Sequence, residues 1–364
     1  MVPDHADQAR RLIVRDVTLR DFRSYARLEL ALEPGLVLVT GPNGAGKTNL
    51  LEALHVGTQG FSPRSRSDAQ LIRQGCEAAR IELGGSRGTV PVSVSVRLAL
   101  AAPKRASLDG ATLRSAEQLR GELATLVFTP DRLVVVKGGP AARRAYIDRS
   151  LARLYPSRAP LPLDYGLALG QRNAALRRVG VGASSRDAVA PWTAQVAELG
   201  ALLTAARRDV IELVQPSFAE RAGELGLPAA TLGYAAQPPT VALLEARFDR
   251  DVERGVTGAG PHLDEIAIRS GDRDLRTFGS QGEQRLAVLA LLLAEAELIG
   301  RRRNVPPLLL LDDALSELDA PRRRILSERI GVIGQTIVTA TGPEALPLAP
   351  AQLLHVTPGA VTVV

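Results

Sequence analysis

Cysteine is almost absent from this chain, whose 364 residues include Cys76 alone. An intrachain disulfide is therefore impossible, and a reducing cytoplasm is the compartment that we expect. The first eleven residues carry mixed charges and no apolar core, so they do not match a secretory signal peptide. The longest apolar run, residues 286–293, falls well short of the ~20 residues that a membrane-spanning helix needs.

Aromatic residues and lysine are also scarce. Aromatics make up 3% of the chain, which excludes widespread stacking on nucleobases. The only lysines are Lys47, Lys104 and Lys137, so the formal charge of +6 comes almost entirely from arginine. Arginine binds phosphate bidentately, which favours a nucleic-acid partner. A GC-rich genome would produce the same preference for arginine over lysine, and the sign of the charge is therefore the stronger indicator.

The alternation of apolar and polar residues predicts an α/β fold with an inserted helical part. Residues 12–39 read as an antiparallel hairpin that leads into a buried strand, and residues 308–311 and 336–341 read as parallel core strands. Between them, residues 141–154, 167–179 and 192–214 carry Ala, Leu and Arg at helical spacing, and residues 180–185 and Pro216 read as breaks. We expect one α/β lobe from residues 1–136 and 304–364, and a mainly helical lobe from residues 137–303.

A glycine-rich turn stands between a short apolar run and an apolar helix. Its residues are Gly41, Pro42, Asn43, Gly44, Ala45, Gly46, Lys47 and Thr48. Such glycines let successive backbone N–H groups point at a phosphate, and the following helix adds the partial positive charge of its N-terminus. In this pattern Lys47 contacts the β- and γ-phosphates of ATP, and the Thr48 hydroxyl is a Mg²⁺ ligand. The order strand, turn, helix favours an ATP site over a chance glycine-rich loop.

Two acidic residues, Asp312 and Asp313, directly follow the apolar run 308–311. A buried strand in a parallel sheet delivers such residues to the carboxyl edge, where ligands bind in folds of this kind. Asp312 would then hold Mg²⁺ opposite Thr48, and Asp313 would orient or deprotonate the attacking water. The alternative is a strand followed by a polar turn with two solvated acids.

A third motif, residues 278–285, opens the apolar helix that lies upstream of these acids. It reads Phe-Gly-Ser-Gln-Gly-Glu-Gln-Arg, with Ser280 and Gly282 at the helix start. A helix N-terminus is an anion site, although Ser280 could equally serve as a helix cap. The motif resembles the signature of ABC-type ATPases, with Ser280, Gly282 and Gln284 at matching positions. That resemblance implies a dimer that sandwiches ATP between two copies, with Asp319 in the D-loop coupling the two sites.

The whole chain resembles the RecF-type ATPases of bacterial recombinational repair, which are related to SMC heads. Matching blocks occur at residues 21–25, 48–54, 128–133, 136–138 and 260–265, with Arg143, Arg144 and Asp148 between the last two. The resemblance implies an ABC-type ATPase head with a mixed sheet, a β-subdomain and an inserted helical lobe. It also implies an ATP-induced dimer that binds gapped, single-stranded or double-stranded DNA in repair, replication-fork maintenance and the SOS response. RecR, RecO and RecA are the implied partners.

Several positions depart from the wider ABC pattern. Asp313 replaces the usual glutamate, which predicts slow, DNA-stimulated hydrolysis suited to a switch. The strand at 336–341 ends without the usual γ-phosphate-sensing histidine, and Asp131 stands where a glutamine is expected. A transporter ATPase subunit and a scaffold that uses ATP without hydrolysing it are the alternative functions.

The candidate DNA contacts are arginines, because neutralising phosphates requires cations and no base-reading motif is evident. Solvated helix faces would account for most of them equally well. The candidates are Arg143, Arg144, Arg172, Arg177, Arg178, Arg207, Arg208, Arg301, Arg302, Arg303, Arg322, Arg323 and Arg324.

Overall fold

The computed structural model describes residues 12–65 and 67–364. The first eleven residues, in which no signal peptide is expected, and Arg66 lie outside the described part. The strands are β1 (Leu12–Phe22), β2 (Tyr25–Ala31), β3 (Leu36–Thr40), β4 (Ala78–Arg87), β5 (Val90–Ala99), β6 (Ala102–Leu108), β7 (Ala111–Thr112), β8 (Thr125–Phe128), β9 (Ala230–Tyr234), β10 (Ile266–Ser270), β11 (Arg273–Asp274), β12 (Leu308–Leu311), β13 (Thr336–Thr339), β14 (Gln352–Thr357) and β15 (Ala360–Val363).

The helices alternate with these strands in the first and last parts of the chain and dominate its middle. They are α1 (Lys47–Gln59), α2 (Leu119–Glu122), α3 (Val134–Lys137), α4 (Pro140–Leu154), α5 (Leu161–Gly180), α6 (Ala190–Glu224), α7 (Val241–Ala246), α8 (Phe248–Arg254), α9 (Leu275–Phe278), α10 (Gln281–Arg303) and α11 (Ala320–Ile333). Along residues 12–65 and 67–364, every helix is too short or too polar to span a bilayer.

The chain divides into two compact units. Unit 1 holds the residues up to Arg132 together with Arg221–Gly226 and Val288–Val364, and unit 2 holds Leu133–Glu220 and Leu227–Ala287. These limits differ from the division expected at 136/137 and 303/304. The reason is that α10 runs through both units, so its apolar sequence offers no break at which a boundary could be read.

The core of unit 1 is a sheet with strand order β15-β14-β3-β13-β12-β8. All its strands except β15 run parallel, as expected for the apolar runs 308–311 and 336–339. The four leucines of β12 are completely buried, because both faces of a parallel sheet are covered. This pairing places the carboxyl ends of β3, β12 and β13 at one edge.

The second sheet of unit 1 is antiparallel, with order β2-β1-β4-β5-β6-β7, and corresponds to the expected β-subdomain. Its inward residues alternate with exposed ones, as at Val17 and Leu19, both at most 1% exposed. Helix α1 packs closely on this inner face. A Cβ on Gly57 would lie 2.5 Å from Leu83 Cδ1, so the close approach of helix and sheet requires glycine there.

Unit 2 is mainly helical but also contains the three-stranded sheet β11-β10-β9. The sequence analysis missed β9, a short strand whose residues alternate between buried and exposed. It pairs in antiparallel register with β10, a contact between segments far apart in the sequence. The expected break at Pro216 was also wrong. That proline lies inside α6, a 35-residue helix that continues to Glu224.

Three of the arginines considered for DNA are buried in unit 2. Arg172 is fully buried, pairs with Asp251 at 2.9 Å and donates to Thr257 at 2.7 Å. Arg207 makes a bidentate pair with Asp148, and Arg143 pairs with Glu265. These arginines hold the interior together, because a buried guanidinium is stable only when it is paired and hydrogen-bonded. They do not form part of a DNA-binding surface.

We predict that Arg172→Ala lowers the free energy of unfolding by about 3–5 kcal/mol, because Asp251 would remain buried without its partner. Urea denaturation followed by circular dichroism measures the change. Arg178→Ala, at an exposed position on the same helix, is the matched control and should change stability by no more than about 0.5 kcal/mol. A loss below about 1 kcal/mol for Arg172→Ala would contradict the structural assignment.

Candidate nucleotide-binding site

The glycine-rich turn follows β3 directly and leads into α1. Gly41, Gly44 and Gly46 have φ values of 143°, 81° and 119°, a region that side-chain-bearing residues rarely adopt. Lys47 is the first residue of α1, and its Nζ donates to the carbonyls of Gly41 at 2.6 Å and Pro42 at 2.9 Å. Strand, turn and helix therefore occur in the order that the sequence predicts.

The two acids follow β12 and are oriented by a threonine of the neighbouring strand. The Thr48 hydroxyl donates to Asp312 Oδ1 at 3.0 Å, and the Thr339 hydroxyl donates to the same oxygen at 2.8 Å. The backbone N–H of Asp313 in turn donates to Thr339 Oγ1 at 2.9 Å. Thr339, at the strand end where the sensing histidine is lacking, thus fixes both acids.

Burial changes the ionisation of the charged groups in this site. The pKa of Asp312 is raised by burial, an effect opposed by the hydrogen bonds from Thr339 and Thr48 and by the charge of Arg64. The pKa of Lys47 is lowered by burial, while the charges of Asp312 and Asp313 act in the opposite direction. A cation near Asp312 would favour its ionised form.

These residues line a cavity of about 380 Å³ in unit 1. The walls also include Asn43, Asn49, Pro130 and Thr341. Asp131 is exposed in the turn that Pro130 begins, so Pro130 rather than Asp131 faces the site.

The donor set in this cavity suits magnesium. Mg²⁺ prefers oxygen ligands and is commonly held by one or two carboxylates together with substrate phosphates. The Thr48 hydroxyl and the Asp312 carboxylate, which lie at hydrogen-bond distance from each other, supply oxygens of this kind. These two residues would hold the ion, which would supply positive charge beside the phosphates.

Arg64 is a wall residue that the sequence analysis did not select. Its guanidinium lies 3.8 Å from the carboxylate of Glu52, a residue of α1 that is 1% exposed. Glu52 also makes a bidentate pair with Arg23 and accepts from the Ser62 hydroxyl. This network ties the loop that carries Arg64 to α1. A glutamate within the apolar segment 50–54 was the available signal in the sequence.

The block at residues 21–25 supports the phosphate-binding turn from outside. The Tyr25 hydroxyl donates to the carbonyl of Gly46 at 3.0 Å, and Asn49 donates to the Ser24 hydroxyl at 2.9 Å. A Cβ on Gly46 would lie 3.0 Å from Ser24 Oγ and 3.1 Å from Tyr25 Oη. The hairpin turn between β1 and β2 therefore determines how closely the chain can pack at Gly46.

The signature-like segment lies in unit 2, where Ser280 forms a helix cap. Ser280 Oγ accepts from the N–H of Glu283 at 3.2 Å, and the N–H of Ser280 donates to Glu283 Oε2 at 2.8 Å. Arg273 pairs with the same carboxylate, and these bonds lower the pKa of Glu283 to about 2. The cap uses Ser280 only as an acceptor, so its hydroxyl proton can still bond to an anion.

Gly282 and Gln284 differ in accessibility. A Cβ on Gly282 would meet nothing closer than Ser280 Oγ at 3.9 Å, so the surface at the helix start is open. Gln284 is buried, and its amide donates to the carbonyls of Leu275 and Gly279. Gln284 therefore supports the turn before α10, and among these residues Ser280 and Gly282 remain candidates for contact with a nucleotide.

Asp319 has a local structural role that the sequence analysis did not predict. It is the N-cap of α11, where its carboxylate accepts from the N–H of Arg322 at 2.9 Å and lies 3.2 Å from the Arg322 guanidinium. Its side chain is 53% exposed, so coupling to a second copy stays a prediction.

The parallel sheet, with the turn at residues 41–48 after β3 and the acids after β12, has the architecture of an ABC-type ATPase head. The sequence profile described as RecF/RecN/SMC N terminal domain matches residues 13–361, and the chain belongs to this family.

Solved structures give the same fold. Two structures of the recombination mediator protein RecF in the RecFOR pathway, RecF-ATPrS and RecF-ATP, are each 24% identical to this chain at a TM-score of 0.87. The matches cover 99% and 97% of this chain and 100% and 98% of theirs. An Smc head bound to the C-winged helix domain of ScpA is 17% identical at a TM-score of 0.59, covering 96% of this chain and 97% of that one. The fold is that of RecF and of SMC heads.

We predict that Gly46→Ala weakens nucleotide binding by about tenfold or more, because the new methyl group would push the turn away from Ser24 and Tyr25. Titration with a fluorescent ATP analogue in the presence of Mg²⁺ measures the affinity. Gly75→Ala is the matched control, since Gly75 also has a positive φ of 86° but faces open space. Equal affinities for the two variants would contradict this account.

Proposed function

We propose that this protein is an ATP-dependent DNA-binding switch of recombinational repair. The observation that carries the proposal is the bond between Thr48 and Asp312 in the cavity of unit 1. It brings together the phosphate-binding turn and the acidic strand, as ATP and Mg²⁺ binding requires. The two RecF structures that are similar to this chain are of a recombination mediator protein, and one of them is described as RecF-ATP. Family membership and fold support the same activity here.

ATP would act as a reversible clasp between two copies of the chain. The phosphate-binding turn lies in unit 1, and the exposed start of α10 offers a second anion site in unit 2. That helix start has the Ser280 hydroxyl proton and unpaired backbone N–H groups available for phosphate oxygens. The signature of one copy would contact the γ-phosphate held by the other, with Asp319 at the interface.

DNA, whether gapped, single-stranded or double-stranded, would be bound by the ATP-held dimer. A formal charge of +6 supports contact with a polyanion, and binding would be largely independent of sequence. Together with RecR and RecO, the dimer would promote loading of RecA at sites of DNA damage and stalled replication. Hydrolysis would then reset the dimer.

Slow, DNA-stimulated turnover fits the geometry of Asp313. Its side chain is one methylene shorter than glutamate, and its backbone is held at a φ of 52° by the N–H bond to Thr339. The carboxylate therefore reaches less far than a glutamate would at the same strand end. A transporter subunit is not favoured, because the chain belongs to the RecF/RecN/SMC family.

We predict that the protein is a monomer without nucleotide and a dimer with ATP, and that Asp313→Asn abolishes hydrolysis while dimer accumulates. Asparagine tolerates the positive φ of this position, so the variant should fold normally. Size-exclusion chromatography with light scattering, with and without ATP and gapped DNA, measures the assembly. Phosphate release measures turnover, which should stay below ~1 per second for the unmodified chain, a low value among enzymes.

The variants also separate a switch from a passive scaffold. A scaffold would show the same assembly for Asp313→Asn and for the unmodified chain, since it would hydrolyse nothing in either form. A monomer under every condition would refute the proposed clasp. Lys47→Ala serves as the control that should fail to bind nucleotide and so fail to dimerise.

The reciprocal hydrogen bonds between Ser280 and Glu283 at the start of α10 provide a test of the signature-like segment 278–285. Ser280→Ala should reduce ATP-dependent dimerisation by about tenfold or more because it removes a phosphate donor, and should cost about 1 kcal/mol of stability because the helix cap is removed. Glu283→Gln perturbs the other half of the box but leaves the hydroxyl in place. It should therefore dimerise at least as well as the unmodified chain. An equal decrease of dimer in both variants would mean that Ser280 acts only as a cap.

A further inference from the structure

The outer face of the antiparallel sheet in unit 1 carries a row of arginines across five strands. Arg20 of β1 lies directly opposite Arg27 of β2 on one side and Arg80 of β4 on the other. Arg80 pairs in register with Arg97 of β5, and Arg97 with Arg105 of β6. All five are exposed, because their neighbours along each strand point inward to the core. At about 4.8 Å between strands, the row is roughly 19 Å long.

The row of arginines is electrostatically unfavourable in the isolated chain. Like charges directly opposite each other destabilise a sheet, and here four successive cross-strand pairs are like-charged. Arg27 and Arg80 are compensated within their own strands by Glu29 and Glu82, each at 2.7 Å. For the other three members, no ion pair occurs with any residue in the described ranges 12–65 and 67–364. An external anion would relieve this repulsion.

The residues that flank the row on one side carry both hydroxyls and carboxylates. The register there continues through Glu29, Thr18, Glu82, Ser95 and Ser107. The three hydroxyls can donate to phosphate oxygens, and the two glutamates are the partners of Arg27 and Arg80. On the other side lie Ala78 and Ala99, which leave the guanidinium groups accessible. A protein partner would need aromatic or aliphatic anchors, and this part of the face offers none among its described residues. A nucleic-acid backbone needs cations and hydroxyl donors alone.

We infer that this row, Arg27–Arg20–Arg80–Arg97–Arg105, is a docking surface for the phosphate backbone of duplex DNA. The inference rests on the proposed function and locates DNA on the outer face of the β-subdomain. None of the arginines selected from the sequence belongs to the row. Most of the arginines selected from the sequence are neighbours along the chain. The arginines of this row are separated in the sequence and are brought together only by the register of the strands.

The test is a salt titration of binding to a fluorescein-labelled duplex of mixed sequence, in the presence of ATP and Mg²⁺. The variant Arg20→Gln/Arg97→Gln/Arg105→Gln should bind at least about tenfold more weakly at 0.1 M salt. The slope of log affinity against log salt should become shallower by about 2.7, or about 0.9 for each phosphate that is no longer neutralised. Its melting temperature should be unchanged or higher, because like-charge repulsion is removed.

Two further variants control for charge and for fold. Arg250→Gln/Arg254→Gln/Arg269→Gln removes the same charge, from +6 to +3, at exposed positions of unit 2 and should bind like the unmodified chain. Glu29→Gln/Glu82→Gln frees Arg27 and Arg80 and should bind more tightly.

Each outcome distinguishes the docking surface from the proposed function. If the unmodified chain dimerises with ATP and binds duplex, but the row variant binds equally well, the docking surface is refuted. Equal weakening by the control triple refutes it as well, since bulk charge would then explain binding. Failure of the unmodified chain to bind duplex at any salt refutes the proposed function itself.

Discussion

The hydrogen bond between Thr48 and Asp312 joins residues that are 264 positions apart in the chain, and the site depends on it. The two side chains meet because β3, β13 and β12 lie side by side and parallel, which brings their carboxyl ends to one edge. Thr339, on the strand between them, completes the contact by donating to Asp312 and accepting from Asp313. The order of the strands in the sheet therefore determines which side chains meet at this site.

Buried charged groups have different roles in different parts of the chain. In unit 2, arginines such as Arg172 and Arg207 are buried and paired with carboxylates, so they contribute to a defined interior. In unit 1, Glu52 is one of the buried charged residues, and its partners Arg23 and Arg64 approach it from the surface. The same residue type thus stabilises a core in one place and organises a functional loop in another. The burial of each arginine distinguishes these cases, whereas the number of arginines in the sequence does not.

The parts of the structure that could be predicted are those fixed by local sequence. The turn at 41–48 requires glycine for its backbone, and the short apolar run at 308–311 is typical of a buried strand, so both were recognisable. What could not be predicted depends on register and packing. The strand β9 is defined by pairing with β10, α6 passes through Pro216, and Gln284 turns inward to bond with Leu275. Arg64 reaches the nucleotide cavity only because Glu52 anchors its loop.

The β1–β2 hairpin links the nucleotide cavity to the outer face of the β-subdomain. Its turn supplies Ser24 and Tyr25, which bear on Asn49 and Gly46 at the start of α1. Arg20 and Arg27 flank that turn on the outer face and are paired in register. The same short hairpin thus contacts the phosphate-binding turn and carries two arginines of the row.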